Sequence, residues 1–217
     1  MGLKSYYLDA REDIGAIVPE GILSMLEIGC SAGLLGKELK RKAALKGMEM
    51  RVTGIEVNVD AVKEAKKNIN KVFSGDVEID EFPLSKNYFD CMICADVLEH
   101  LKDPEQFLRK YKAYLKPKGY LIVSVPNVRY YHIILSLLKG NWEYKDRGIM
   151  DRTHLRFFTL KSIISLLEST GFIIDKVSRN YRLREPFCSH KTLAKILSLY
   201  FFRDFFTFQY LIIAKKG

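Results

Sequence analysis

Cysteine is scarce in this chain: four among 217 residues, at positions 30, 91, 94 and 188. So few thiols, so scattered, exclude the disulfide framework of a small secreted domain. Long apolar runs are missing too. The best candidate for a membrane span begins at Leu197 and is broken by Arg203 and Asp204. The opening MGLKSYYLDARED lacks the apolar stretch of a secretory signal, and Tyr6 breaks a myristoylation pattern. There is no repeat, no low-complexity tract and no linker. A single cytoplasmic domain over residues 1–217 is expected, with 1–19 as an N-terminal cap. With 48% hydrophobic and 28% charged residues, disorder is excluded, and a chain of this length buries roughly 70% of its unfolded surface.

Charge is divided unevenly. Residues 1–100 carry 13 Lys/Arg against 17 Asp/Glu, and residues 101–217 carry 22 against 9. A basic half suits an anionic partner, whether a phosphate-bearing small molecule, a nucleic acid or a membrane surface. With no Lys/Arg-rich tail and no separate RNA-binding module, nucleic acid is the weaker of these readings.

Strand-like and helix-like segments alternate along the chain. Residues 23–28 (LSMLEI), 51–57 (RVTGIEV), 71–75, 88–95 and 120–125 (YLIVSV) read as strands. Helices are expected over 33–46, over 58–70 with Asn58 as cap and Val59, Val62, Ala65 and Ile69 inward, from Asp103-Pro104 to the Lys116–Gly119 break, and from Thr159 to Gly171. Strands over 172–177 and 208–214 complete the set and leave no room for another crossover, so a terminal hairpin is expected. This alternation implies a largely parallel sheet with helices on both faces. Residues 127–158 and 181–207 interrupt it as insertions at the carboxyl edge, where open α/β sheets bind ligands.

The first turn reads Glu27-Ile-Gly29-Cys-Ser31-Ala-Gly33. Its glycines let the backbone approach a nucleotide ligand. It is not the dinucleotide pattern, since Ser31 and Leu34 replace two glycines, and Glu27 would repel a pyrophosphate. That disfavours a nicotinamide-dependent oxidoreductase. A ligand with a cationic end, as in S-adenosylmethionine, fits Glu27 better. Glu56 ends the second strand, where a carboxylate can accept ribose hydroxyls, Asp76 follows the third and Asp96 the fourth.

The segments MLEIGCSAG, VTGIEVN, SGDV, FPLSKNYFDCMICADVLEHLKDP and YLKPKGYLIVSVPN resemble the class I S-adenosylmethionine-dependent methyltransferases. The resemblance implies a Rossmann-like three-layer sandwich, its seven-stranded, mostly parallel sheet ending in an antiparallel strand, with helical insertions forming a lid. It assigns the cofactor to Glu27, Gly29, Cys30, Ser31, Gly33, Glu56, Val57, Asp76, Val77, Asp96 and Val97, with Tyr7 and Arg11 closing over it. The stretch SVPNVRYY…GNWEY…DRTHLRFFT further resembles methyltransferases associated with surface polysaccharides, which implies a hydroxyl of a sugar, a glycan or another small molecule as acceptor. The alternatives are RNA methylation and a non-enzymatic binding protein that retains the fold.

A hydroxyl acceptor must lose its proton, and histidine is the natural base near neutrality. His154, in the loop Asp151-Arg-Thr-His154, is the leading candidate, with Asp151 expected to orient it; His100, after the fourth strand, is second. No metal site is expected, because Cys91-x-x-Cys94 lies in a strand, where residues three apart face opposite sides. The aromatic run from Tyr200 to Tyr210 is expected to be core or substrate lid rather than a membrane-facing helix.

Overall fold

The computed structural model describes residues 10–182 and 203–217. After a short helix α1 (Glu12–Gly15), the chain runs β1 (Ser24–Ile28), α2 (Leu34–Leu45), β2 (Arg51–Glu56), α3 (Val59–Asn68), β3 (Lys71–Ser74), β4 (Phe89–Ala95), α4 (Pro104–Lys112) and β5 (Leu115–Pro126). Then follow α5 (Tyr131–Leu138), α6 (Leu160–Ser169), β6 (Phe172–Tyr181), a helical turn α7 (Arg203–Phe206) and β7 (Thr207–Lys216). The seven strands form one sheet in the order β3-β2-β1-β4-β5-β7-β6. Only β7 is antiparallel to its neighbours.

Strand β4 shows why the sheet is covered on both faces. Met92 and Cys94 join one hydrophobic cluster with Phe107, Leu108, Ile163 and Leu167 of α4 and α6. Cys91 and Ile93 join the other, with Leu35, Leu39 and Ala65 of α2 and α3. The two thiols therefore point to opposite sides of the sheet, as their spacing requires. A strand buried on both faces reads as an unbroken apolar run, which is how CMICA (residues 91–95) reads.

The helix starts follow local chemistry. Asn58 Oδ1 accepts from the backbone N–H groups of Asp60 and Ala61, each at 3.0 Å. Asp103 caps α4 ahead of Pro104, and Thr159 forms a capping box with Ser162. Two expectations need correcting. Val59 is exposed and Ala61 takes the inward place, because the cap turns the first helical residue to solvent. The Lys116–Gly119 segment does not end a helix: α4 stops at Lys112, and the segment is the kinked start of β5, where pairing with β4 shifts register.

The insertion over 127–158 folds back onto the carboxyl edge of the sheet. Val128 N–H donates to Phe158 O at 3.0 Å, and the N–H groups of Leu155 and Arg156 both donate to Glu99 O. Most of the second expected insertion, residues 183–202, lies outside the described residues. The aromatic run ends in β7, where Tyr210 is fully buried. No described helix is long and apolar enough to cross a membrane.

Gly54, in β2, marks the tightest packing beneath the first turn. A Cβ there would lie 2.4 Å from Cys30 Sγ and 2.8 Å from Ile69 Cδ1. Gly54→Ala should destabilise the protein by about 1–3 kcal/mol through overpacking. Urea unfolding of Gly54→Ala, Cys30→Ala and the double variant should show strong non-additivity, since removing Sγ relieves the closest clash. Additive losses would show that the two side chains do not compete for this space.

Candidate active site

The loop from β1 to α2 turns through three left-handed residues, Gly29 (φ 66°), Ser31 (φ 53°) and Gly33 (φ 73°). A side chain at Gly29 would meet Val97 Cγ2 at 3.0 Å, and one at Gly33 would meet Ala65 Cα at 3.2 Å. Glu56 holds this turn. Its carboxylate accepts from Ser31 N–H at 2.8 Å and Asn58 N–H at 2.9 Å. Cys30 contributes backbone only, because its thiol is buried in the core beneath Gly54.

Glu27 sits at the mouth of the turn, 5% exposed, and its Oε2 has no hydrogen-bond partner. Burial, with the Glu56 carboxylate beside it, pushes its pKa up to about 8, against a smaller opposing pull from Arg11. An orphaned acid beside a glycine-lined cradle is the environment that a ligand's ammonium group satisfies. The residues present therefore fit S-adenosylmethionine: Glu27 would meet its cationic end and Glu56 its ribose.

The remaining strand ends divide by role. Asp76 Oδ1 accepts Glu78 N–H at 2.9 Å, and beside it Val77 is buried and Val57 exposed, apolar surface suited to an adenine ring. Asp96 is instead a hub of the scaffold. Its carboxylate takes Arg11 Nη1 at 2.7 Å, Ser124 Oγ at 2.7 Å and Gln209 Nε2 at 2.5 Å. Arg11 is clamped further by Asp13 and Ser124, so it pins the N-terminal segment to the strand ends. Tyr7 lies outside the described residues.

A second group of side chains gathers just beyond β4. The His100 and His154 rings meet edge to face with centroids 4.7 Å apart. Nδ1 of His154 lies 3.0 Å from Ile149 O, and Nδ1 of His100 lies 3.2 Å from Thr153 O. A carbonyl oxygen only accepts, so each ring carries a hydrogen on Nδ1, and in the neutral form its lone pair is on Nε2. Burial holds the pKa of His154 below the ordinary value, with His100 adding to the effect against the Ile149 carbonyl and Asp151. Asp151 does not orient His154 by the expected hydrogen bond. Its Oδ1 accepts Thr153 N–H at 2.8 Å and Thr153 Oγ1 at 2.6 Å, and it reaches His100 only through that threonine.

Glu99, missed in the sequence, lies between these histidines and the hub. It is 1% exposed, neither of its carboxylate oxygens has a partner, and burial together with Asp96 pushes its pKa well up. Its one sequence signal was an acid directly before His100.

Beside this corner the 127–158 insertion forms a cleft of about 430 Å³. Tyr130, Trp142 and Phe208 give it aromatic walls, while Lys145, Arg147 and Arg182 outnumber the single lining acid, Glu143. Ile149, whose carbonyl holds His154, also lines it.

A sheet of this order, with a glycine turn, buried acids at successive strand ends and a lidded carboxyl edge, is the architecture of the class I S-adenosylmethionine-dependent methyltransferases. The chain belongs to the Methyltransferase domain family, which it matches over residues 3–177, and its methyl donor is S-adenosylmethionine. It is similar to a Rickettsia bellii protein named ubiquinone biosynthesis O-methyltransferase, at 27% identity over 81% of this chain and 68% of that one. A Coxiella burnetii protein of the same name is 29% identical over 72% and 67%. Among solved structures, an S-adenosylmethionine-dependent methyltransferase from Archaeoglobus fulgidus superposes with a TM-score of 0.65 at 21% identity, covering 98% and 97% of the two chains. One from Thermotoga maritima, described as a possible histamine N-methyltransferase, gives 0.66 at 19% identity, covering 97% and 89%.

Two measurements check the cofactor end. S-adenosylhomocysteine should raise the melting temperature and NAD should not. With a folded pKa of about 8 against an ordinary 4.5, Glu27 stabilises the free protein fully below the lower value and loses that contribution as pH rises through the higher one. Binding a ligand ammonium favours the ionised carboxylate, so at pH 7 calorimetry in buffers of different ionisation enthalpy should show proton release. Glu27→Gln should abolish the release and weaken binding by at least about tenfold, the loss of one charge-assisted contact. Equal stabilisation by NAD, or unchanged proton release in Glu27→Gln, contradicts this placement.

Proposed function

We propose that the enzyme methylates a hydroxyl group on a small acceptor carrying both a ring and an anionic group. The cleft beside His154 carries this reading: aromatic walls suit a flat or sugar ring, and three cationic side chains suit a carboxylate or phosphate. The names of the Rickettsia and Coxiella relatives, both O-methyltransferases, support oxygen as the atom methylated.

Bound S-adenosylmethionine supplies an electrophilic methyl group on a sulfonium sulfur. Glu27, Glu56 and the glycine turn would hold the donor at the strand ends, a reading supported by the unpartnered oxygen of Glu27 and the turn that Glu56 braces. The cleft positions the acceptor for in-line displacement, and positioning of this kind accounts for much of the rate. Transfer would form a C–O bond as the donor's C–S bond breaks with its electron pair left on sulfur, and the acceptor hydroxyl would lose its proton to this chain's residues. The proton leaves at the Glu99–His100–His154 corner, where two imidazole Nε2 lone pairs are held ready by main-chain carbonyls. Asp151 acts indirectly, fixing Thr153 against His100.

His154→Ala should lower turnover by about 10²–10⁴-fold with S-adenosylhomocysteine affinity nearly unchanged, and Asp151→Asn should lose less. A methyl-transfer panel of nucleotide sugars and hydroxylated aromatic acids identifies the ring. Arg147→Ala should raise KM for the anionic members and leave their uncharged analogues unaffected. Turnover of His154→Ala within a few-fold of the native enzyme would make His154 structural. A log–log salt slope of several charges for RNA binding would favour the nucleic-acid reading instead.

A further inference from the structure

The corner beside the cleft combines features that a proton acceptor alone does not require. One ligand atom each from Glu99, His100 and His154 lies within 4.8 Å of the other two. Both imidazoles have Nδ1 turned to a main-chain carbonyl, which in the neutral ring leaves Nε2 as the lone-pair nitrogen, the tautomer in which histidine binds metals, with the outer hydrogen bond fixing the ring. Glu99 is 1% exposed and no donor meets either oxygen. A buried carboxylate with no partner is costly unless a cation joins it, and the nearby guanidinium of Arg11 is held by Asp96 and Asp13.

We propose that Glu99, His100 and His154 form a divalent-cation site at the acceptor end of the active site. Two imidazoles and one carboxylate suit a cation of intermediate softness such as zinc or manganese, and they leave coordination positions open for substrate or water. At metal–ligand distances of about 2.1 Å, adjacent ligands stand roughly 3–3.5 Å apart. The site therefore closes by rotation of these three side chains. The cation's role rests on the hydroxyl-methylation reading above and replaces the imidazoles as proton acceptors, since their Nε2 lone pairs would be spent on the metal. A hydroxyl brought to the cation would give its proton to water, and its oxygen would keep the bonding pair as nucleophile. No oxidant or reductant takes part.

The binding test is independent of that reading. The full chain is stripped with a chelator and titrated calorimetrically with Zn²⁺ or Mn²⁺ alone, without cofactor or acceptor. One cation per chain is expected. Glu99→Gln and His154→Ala should weaken it by more than the 10–100-fold typical of losing an outer-shell partner, with S-adenosylhomocysteine binding within about twofold of native as the check on folding. His100→Ala, at an exposed position, should show the same loss and serves if Glu99→Gln fails to fold. Affinity weaker than about 1 mM, or equal affinity in the native chain and the three variants, would overturn the site. Residue-dependent binding with turnover unchanged after chelation would overturn the cation's catalytic role. If binding depends on these residues but no hydroxyl acceptor in the panel is methylated, the site stands and the acceptor reading fails.

Discussion

Removing an ionised carboxylate from water costs several kcal/mol unless partners replace the lost hydration. This protein buries three, Glu27, Glu56 and Glu99, along one edge of one sheet. Only Glu56 is met by backbone donors. The other two have orphaned oxygens and elevated pKa values. Much of the surrounding structure holds them in place without satisfying them. Arg11 and Asp96 tie the N-terminal segment to β4, Ser124 to β5 and Gln209 to β7. Asn180 on β6 extends the tie through Asp13.

The opposite edge of the sheet shows what a carboxylate looks like when it serves structure alone. Asp90, at the start of β4, accepts the N–H groups of Leu23 and Ser24, the Ser24 hydroxyl and Lys116 Nζ. Burial works to raise its pKa, but Lys116 and Ser24 prevail and hold it below the usual range. Asp90 fastens the amino ends of β1, β4 and β5 with no lone pair left wanting. The contrast between the two edges separates scaffold from site more sharply than residue type does. Buried acids without hydrogen-bond partners stand at the carboxyl edge, the edge where open α/β sheets bind ligands.

The 127–158 insertion gives that edge its second half. Its return limb docks on the carbonyl of Glu99, so the segment that lines the cleft also sets His154 against His100. Asp96 and Glu99 stand just beyond the end of β4, the first bound into the scaffold and the second beside the two histidines. The glycine turn and its strand ends precede the insertion in the chain, and the cleft is built largely from the insertion itself.

The amino-acid sequence determined the alternation of strands and helices, the caps at Asn58, Asp103 and Thr159, and the glycine turn of Gly29 and Gly33 with Glu27 and Glu56 beside it. These are local signals: apolar runs, capping chemistry, and a glycine turn between a strand and its helix. The sequence also placed Cys91 and Cys94 on opposite faces, because strand periodicity alone decides that. It could not show that Asp96 is held by Arg11 and Gln209, or that Asp151 faces Thr153 rather than His154, since those bonds join residues far apart in the chain or turn on one rotamer. Nor could it single out Glu99. An acid beside a histidine in a turn is ordinary in sequence, and only tertiary burial, with His154 brought from 55 residues away, makes it a buried acid without a partner.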